Sequence, residues 1–61
     1  MNAPLFSIGD WFKRNDYHND NKTYTIDKVR EWHGTWIYHA VGQSWVDGWA
    51  WIAEHNMKKV P

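Results

Sequence analysis

A chain of 61 residues without a single cysteine cannot be held together by disulfides or by a thiolate metal site. A domain of this size buries only about 60 % of the surface its unfolded chain exposes, so its core needs a supplement. Two supplements remain, large side chains and self-association. Six Trp, three Tyr and two Phe supply the first. Each such ring buries on the order of 150–250 Å². The aliphatics are few and scattered: Leu5, Ile8, Ile26, Val29, Ile37, Val41, Val46, Ile52 and Val60. Any core this chain forms is built on rings.

Three of the six Trp fall in one run, Trp45-Val46-Asp47-Gly48-Trp49-Ala50-Trp51-Ile52. Asp-Gly is a strong hairpin signal, because a type I′ turn needs positive φ at both central positions. Around it the residues alternate, and on a strand alternate residues point to opposite faces. Val46, Ala50 and Ile52 suit the cramped inside of a small barrel, which predicts that Trp45, Trp49 and Trp51 face outward.

The remaining segments read as short strands separated by turns. Gly9-Asp10 is expected to open a first strand at Trp11-Phe12-Lys13, after a short lead over Met1 to Leu5. Arg14 to Lys22 is dense in Asn and Asp and reads as a loop; it lacks the glycine and terminal glutamate of a helix–loop–helix calcium site. Thr23 to Trp32 is strand-like, with a break in parity near Asp27-Lys28 that predicts a bulge. A turn at Trp32-His33-Gly34-Thr35 returns the chain along Thr35 to Val41. A three-residue loop with Gly34 in the left-handed position pairs Val29 with Ile37 and points Val29, Ile37 and Val41 inward, with Lys28, Arg30, Trp36 and Tyr38 outward. A two-residue loop pairs Val29 with Tyr38 instead; the first register is preferred because it makes the branched residues agree. Gly42-Gln43-Ser44 kinks the chain before the Trp run. Ala53 to Met57 reads as one helical or 3₁₀ turn, and Lys58-Lys59-Val60 as a last short strand. No segment holds a 3.6-residue period over ten residues, so the expected class is all-β, about five strands in one domain over residues 1–61.

The closing segment, Gly48-Trp49-Ala50-Trp51-Ile52-Ala53-Glu54-His55-Asn56-Met57-Lys58-Lys59-Val60, resembles the end of Src-homology-3-like small barrels. There a Gly-Trp-rich strand is followed by a 3₁₀ turn with Asn and an apolar residue, then a last strand. Ala53 stands where those chains usually carry proline. Ile8-Gly9-Asp10-Trp11-Phe12-Lys13 is similar to the opening of bacterial members, and Thr23 to Gly42 to their central hairpin. The resemblance implies a five-stranded, partly open barrel with a 3₁₀ turn before the last strand. It implies no single function, since the architecture hosts peptide, wall and nucleic-acid binders and oligomeric enzymes. The first strand has Trp11-Phe12 in place of the Tyr-rich motif of the proline-peptide binders, and the loop after it mixes Asp16 and Asp20 with Lys22.

Seven acids balance seven bases, which disfavours a nucleic-acid or acidic-membrane partner held mainly by charge. The opening residues lack a basic start before a long apolar run, and no stretch is long enough to span a membrane. A complete cytoplasmic product is the expectation. His18, His33, His39 and His55 have no metal-ligand spacing, Ser7 and Ser44 sit in no nucleophile elbow, and there is no Gly-rich phosphate loop, so neither cofactor nor catalysis is expected. Trp11 and Trp32 read as core or end-capping rings. Trp36, Tyr38, Trp45, Trp49 and Trp51, with Arg30, read as an exposed face that binds a partner protein or a second copy of the chain. Two alternatives use the same face: single-stranded nucleic acid or oligosaccharide stacking on the indoles, and an enzyme whose site is shared between subunits.

Overall fold

The computed structural model describes residues 2–16, 22–44, 46 and 48–60. Among them the chain is all-β: β1 (Trp11–Arg14), β2 (Thr23–Trp32), β3 (Thr35–Ala40), β4 (Ile52–Ala53) and β5 (Met57–Lys59), with a 3₁₀ turn at Glu54–Asn56 between the last two. The strands form one antiparallel sheet in the order β4-β3-β2-β1-β5. β4 and β5 lie at opposite edges, and no ladder closes the sheet into a barrel. Yet only the 3₁₀ turn separates them in sequence. Four residue steps reach at most about 14 Å, whereas the outer strands of a flat five-stranded sheet lie about 19 Å apart. The sheet must therefore curl until its two edges approach.

The curl is placed by β2, which belongs to both halves. Its first residues pair with β1, through Trp11↔Thr25, Phe12↔Tyr24 and Lys13↔Thr23. The rest pairs with β3, and the register shifts between Ile26 and Lys28. The expected bulge is thus present, and it bends the long strand where it changes partner.

The hairpin turn differs from the preferred register. His33 and Gly34 both have positive φ, 51° and 79°, which makes a two-residue loop of the primed type. Glu31 accepts a hydrogen bond from the Gly34 amide at 2.9 Å. Trp32 then faces Thr35, Arg30 faces Ile37, and Val29 faces Tyr38. Every side chain of β3 changes face relative to the preferred pairing. Tyr38, expected outward, is fully buried, and Ile37, expected inward, lies half-buried on the opposite face. The ring wins the centre because a small core without long aliphatic strands is filled more completely by an aromatic group.

The core is a ring cluster. Phe6, Phe12, Ile26, Tyr38, Ala40, Ile52 and Met57 are buried together, with Tyr24, Val29, Trp36 and Trp49 packed on them. Phe6 meets Tyr38 edge-on at 5.4 Å and Phe12 at 6.3 Å. The N-terminal lead is therefore a structural strap. Trp36 donates its indole N–H to the Asn2 carbonyl at 2.6 Å, and the Leu5 amide donates to Glu54 at 3.0 Å. The Gly9-Asp10 turn is as expected: the Asp10 amide donates to the Ser7 carbonyl, and the Ser7 amide donates to the Asp10 carboxylate.

Ala50 and Ile52 are buried as expected, but two other valines are not core. Val46 is 89 % exposed and Val41 59 %. Both lie beyond the end of β3, where Gly42 turns the chain with φ 85° and no ladder enforces alternation. Trp11 and Trp32, read as core or capping rings, are 58 % and 54 % exposed. Each sits on the outer side of the pleat, opposite the buried Phe12 and the inward-facing residues of β3. Asp47 of the expected Asp47-Gly48 turn, Trp45 and most of the Asn- and Asp-rich loop lie outside the described residues. Arg14, read as part of that loop, closes β1 and is buried.

Candidate interaction face

Strand pairing fixes which side chains share the outer face of the β2-β3-β4 half. One row across it is Arg30, Ile37 and Ala53. The row nearer the hairpin tip begins with Trp32 opposite Thr35, and the row on the other side begins with Lys28 opposite His39. Trp51 precedes β4 and packs edge-on against His39, ring centres 5.7 Å apart. Arg30, Trp32, Ile37, Trp51 and Ala53 line a concavity of about 520 Å³. Its floor is aliphatic, two indoles flank it on a diagonal, and a guanidinium stands at its side.

His39 holds one end of this face in place. Its Nδ1 lies 2.5 Å from the Asp27 carboxylate, at the bulge of β2, and its Nε2 lies 2.7 Å from the Gln43 carbonyl. Each ring nitrogen faces one oxygen. The imidazole thus ties the bulge, the turn after β3 and the Trp51 ring into one unit. Gln43 extends the tie, since its side-chain oxygen accepts from the Trp49 amide at 3.3 Å.

The expected face divides on this geometry. Arg30 and Trp51 lie together on it. Trp36 is half-buried, tethered by its indole N–H to Asn2, on the other side of the sheet. Tyr38 is interior: its hydroxyl donates to Glu54 at 2.6 Å and accepts from the Phe6 amide at 3.4 Å. Burial, together with the bond to Glu54, pushes its pKa up to about 12. Trp49 turns to the core side, edge-on to Tyr24 at 5.2 Å and Phe12 at 6.2 Å. The Arg14 guanidinium lies 4.9 Å from the Trp49 ring centre and is gripped in fork geometry by Asp16. Trp45 lies outside the described residues. Trp32 and Ile37 were not expected on this face. The signal for them was the His33-Gly34 turn, since a two-residue loop puts Arg30, Trp32 and Ile37 on one side.

A second concavity, about 510 Å³, lies on the β1-β5 half and is lined by Phe6, Gly9, Asp10, Trp11, Lys59 and Val60. Its charged groups are engaged. Asp10 accepts from Ser7, and the Lys59 ammonium lies over the Phe6 ring at 5.7 Å. Among the described residues no three His, Asp or Glu side chains come together as a metal site, and no helix is long and apolar enough to cross a membrane. Comparison with protein-family models, curated proteins and solved structures finds no match for this chain.

Proposed function

We propose that this chain is a non-catalytic interaction module, of the Src-homology-3-like small-barrel type, that binds a partner protein on the outer face of β2, β3 and β4. The architecture supports the type. A first strand, a long bulged hairpin, a short fourth strand, a 3₁₀ turn and a final strand follow one another as in those barrels, with β4 and β5 at opposite sheet edges. The observation that carries the function is the groove: two indoles flank the aliphatic floor of Ile37 and Ala53 on a sheet face that no other described element covers. Tryptophan and arginine are the residues in which binding energy concentrates, and both stand here.

Capture from host lysate, followed by rebinding of the purified captured protein, tests the reading. Trp51→Ala and Trp32→Ala are expected to abolish binding, while Trp11→Ala, on the other half of the sheet, keeps it. Retention by the first two with loss by the third moves the site to the β1-β5 half. A second copy of the chain is also a possible partner; a strictly monomeric mass at about 100 μM rules it out. Single-stranded nucleic acid on the same indoles is the rival reading, favoured by Lys28 and Arg30 beside them.

A further inference from the structure

The formal net charge of zero conceals an asymmetry in how the charges are used. All five described carboxylates are engaged inside the chain. Asp10 and Glu31 accept from backbone amides, Asp16 grips Arg14, Asp27 faces His39, and Glu54 takes both Tyr38 and Leu5. The bases are used less completely. Arg14 is paired and Lys59 covers a ring, but Lys28, Arg30 and Lys58 meet no partner among the described residues. Lys58 stands on β5, opposite Lys13. Lys28 and Arg30 stand two residues apart on one face of β2; Arg30 lines the groove, and Lys28 stands in the next row, opposite His39. Asp27, at the bulge of β2, is turned to His39 and does not line the groove. Arg30 is the one charged residue among the groove's lining, so the groove is positive at its side and its complement there is negative.

Resting on the interaction reading above, we propose that the occupant of the groove is an extended, acidic polypeptide segment of about five residues. The length follows from the pairing. Trp32 lies two residues beyond Arg30 toward the hairpin tip, and Trp51 two residues before Ala53 in the opposite direction, so the indoles are offset by about 13 Å along the strands and about 10 Å across them. The diagonal between them is about 16 Å; an extended segment lying along it carries its first, third and fifth side chains on one side over about 13 Å, and the reach of the two end side chains covers the remainder. Apolar groups at the ends then meet the two indoles, and a central carboxylate meets Arg30 beside Ile37. A nucleic acid is a poorer complement. Two cations give a log–log salt slope of only about −1.4, and the Ile37–Ala53 floor offers a base no hydrogen bond.

The test is a titration of the intact chain, followed through its indole N–H resonances, with three blocked peptides and oligo-dT. Acetyl-Phe-Ser-Glu-Ser-Phe-amide is expected to shift Trp32 and Trp51 while leaving Trp36 and Trp49 in place. The peptide with Lys for Glu binds at least about fivefold more weakly, attraction being exchanged for repulsion. The peptide with Ser for both Phe loses the shifts. Arg30→Gln weakens the preference for Glu over Lys without moving the Trp36 and Trp49 resonances, which report that the fold is intact. Three results overturn the proposal: equal or tighter binding of the Lys peptide, larger shifts of the same indoles with oligo-dT, or no shift with any peptide at about 5 mM. The failures are separable. If Trp51-dependent capture of a partner persists while the Lys peptide wins, the module stands and its acidic ligand falls; if capture ignores Trp51, the site itself falls.

Discussion

Trp49 and Trp51 are two residues apart and carry the same side chain, yet they have opposite fates. Trp49 closes over Phe12, Tyr24 and the buried Arg14. Trp51 lies on the outer face against His39 and lines the groove. Strict alternation would have put them on one side. The difference teaches that parity is a property of a paired strand and not of a run of residues. β4 begins only at Ile52, and the chain before it is shaped by Gly48 at φ 136° and by the Gln43 bond to the Trp49 amide. Freed from a ladder, Trp49 goes where the most ring surface and a cation await it. Trp51, next to the ladder, keeps the outward direction its neighbour Ile52 dictates.

If Trp49 belongs to folding, its removal should be the most damaging change. Trp49→Ala is expected to cost about 3 kcal/mol in urea unfolding, which is a large part of the stability a chain this size has, on the order of 3–9 kcal/mol. A loss below about 1 kcal/mol would place the ring outside the core. Asp16→Ala attacks the same region through charge. It leaves Arg14 buried without its carboxylate, and about 2–3 kcal/mol of stability should go with it; an unchanged urea midpoint would mean that water serves Arg14 equally well.

Tyr38 offers a milder test, on the inner side of the hairpin. Tyr38→Phe removes the hydroxyl with its bonds to Glu54 and the Phe6 amide and should cost about 1–2 kcal/mol. Its pH dependence has a definite sign. The folded-state pKa of about 12 lies above the unfolded value of about 10, so the stabilising effect is complete below pH 10 and disappears as pH rises toward 12. Over that window the unfolded chain releases the proton that the folded chain keeps. Tyr38→Phe and Glu54→Gln should both flatten the alkaline limb of stability against pH; a slope that survives Tyr38→Phe would belong to another group.

Much of the scaffold was legible in the residues. The all-β class, the Gly9-Asp10 opening, the bulge at Asp27, the 3₁₀ turn and the final strand all follow from local signals, because turns and bulges are decided by the few residues that form them. The face of the hairpin was not legible in the same way. It depends on whether His33 shares the left-handed conformation of Gly34, and a non-glycine residue takes that conformation only when the strands on both sides reward it. One residue of register then put Tyr38 in place of Ile37 on the inner face and brought Ile37 beside Arg30 and Trp32. The N-terminal strap was illegible for another reason. Phe6, Leu5 and Asn2 are recruited by Tyr38, Glu54 and Trp36, partners more than fifteen residues away, and no local pattern announces such a contact. Net charge is silent on local pairing for a related reason, since a sum cannot show which charges are already engaged.

The central claim is that the chain folds on the Trp49 side and leaves the Trp51 side for a partner. Urea unfolding of Trp51→Ala tests it most directly. Stability within about 1 kcal/mol of the parent chain is the predicted result, as for a half-buried ring on the outer face whose neighbours hold without it. A loss as large as that of Trp49→Ala would make Trp51 a core residue and contradict the division.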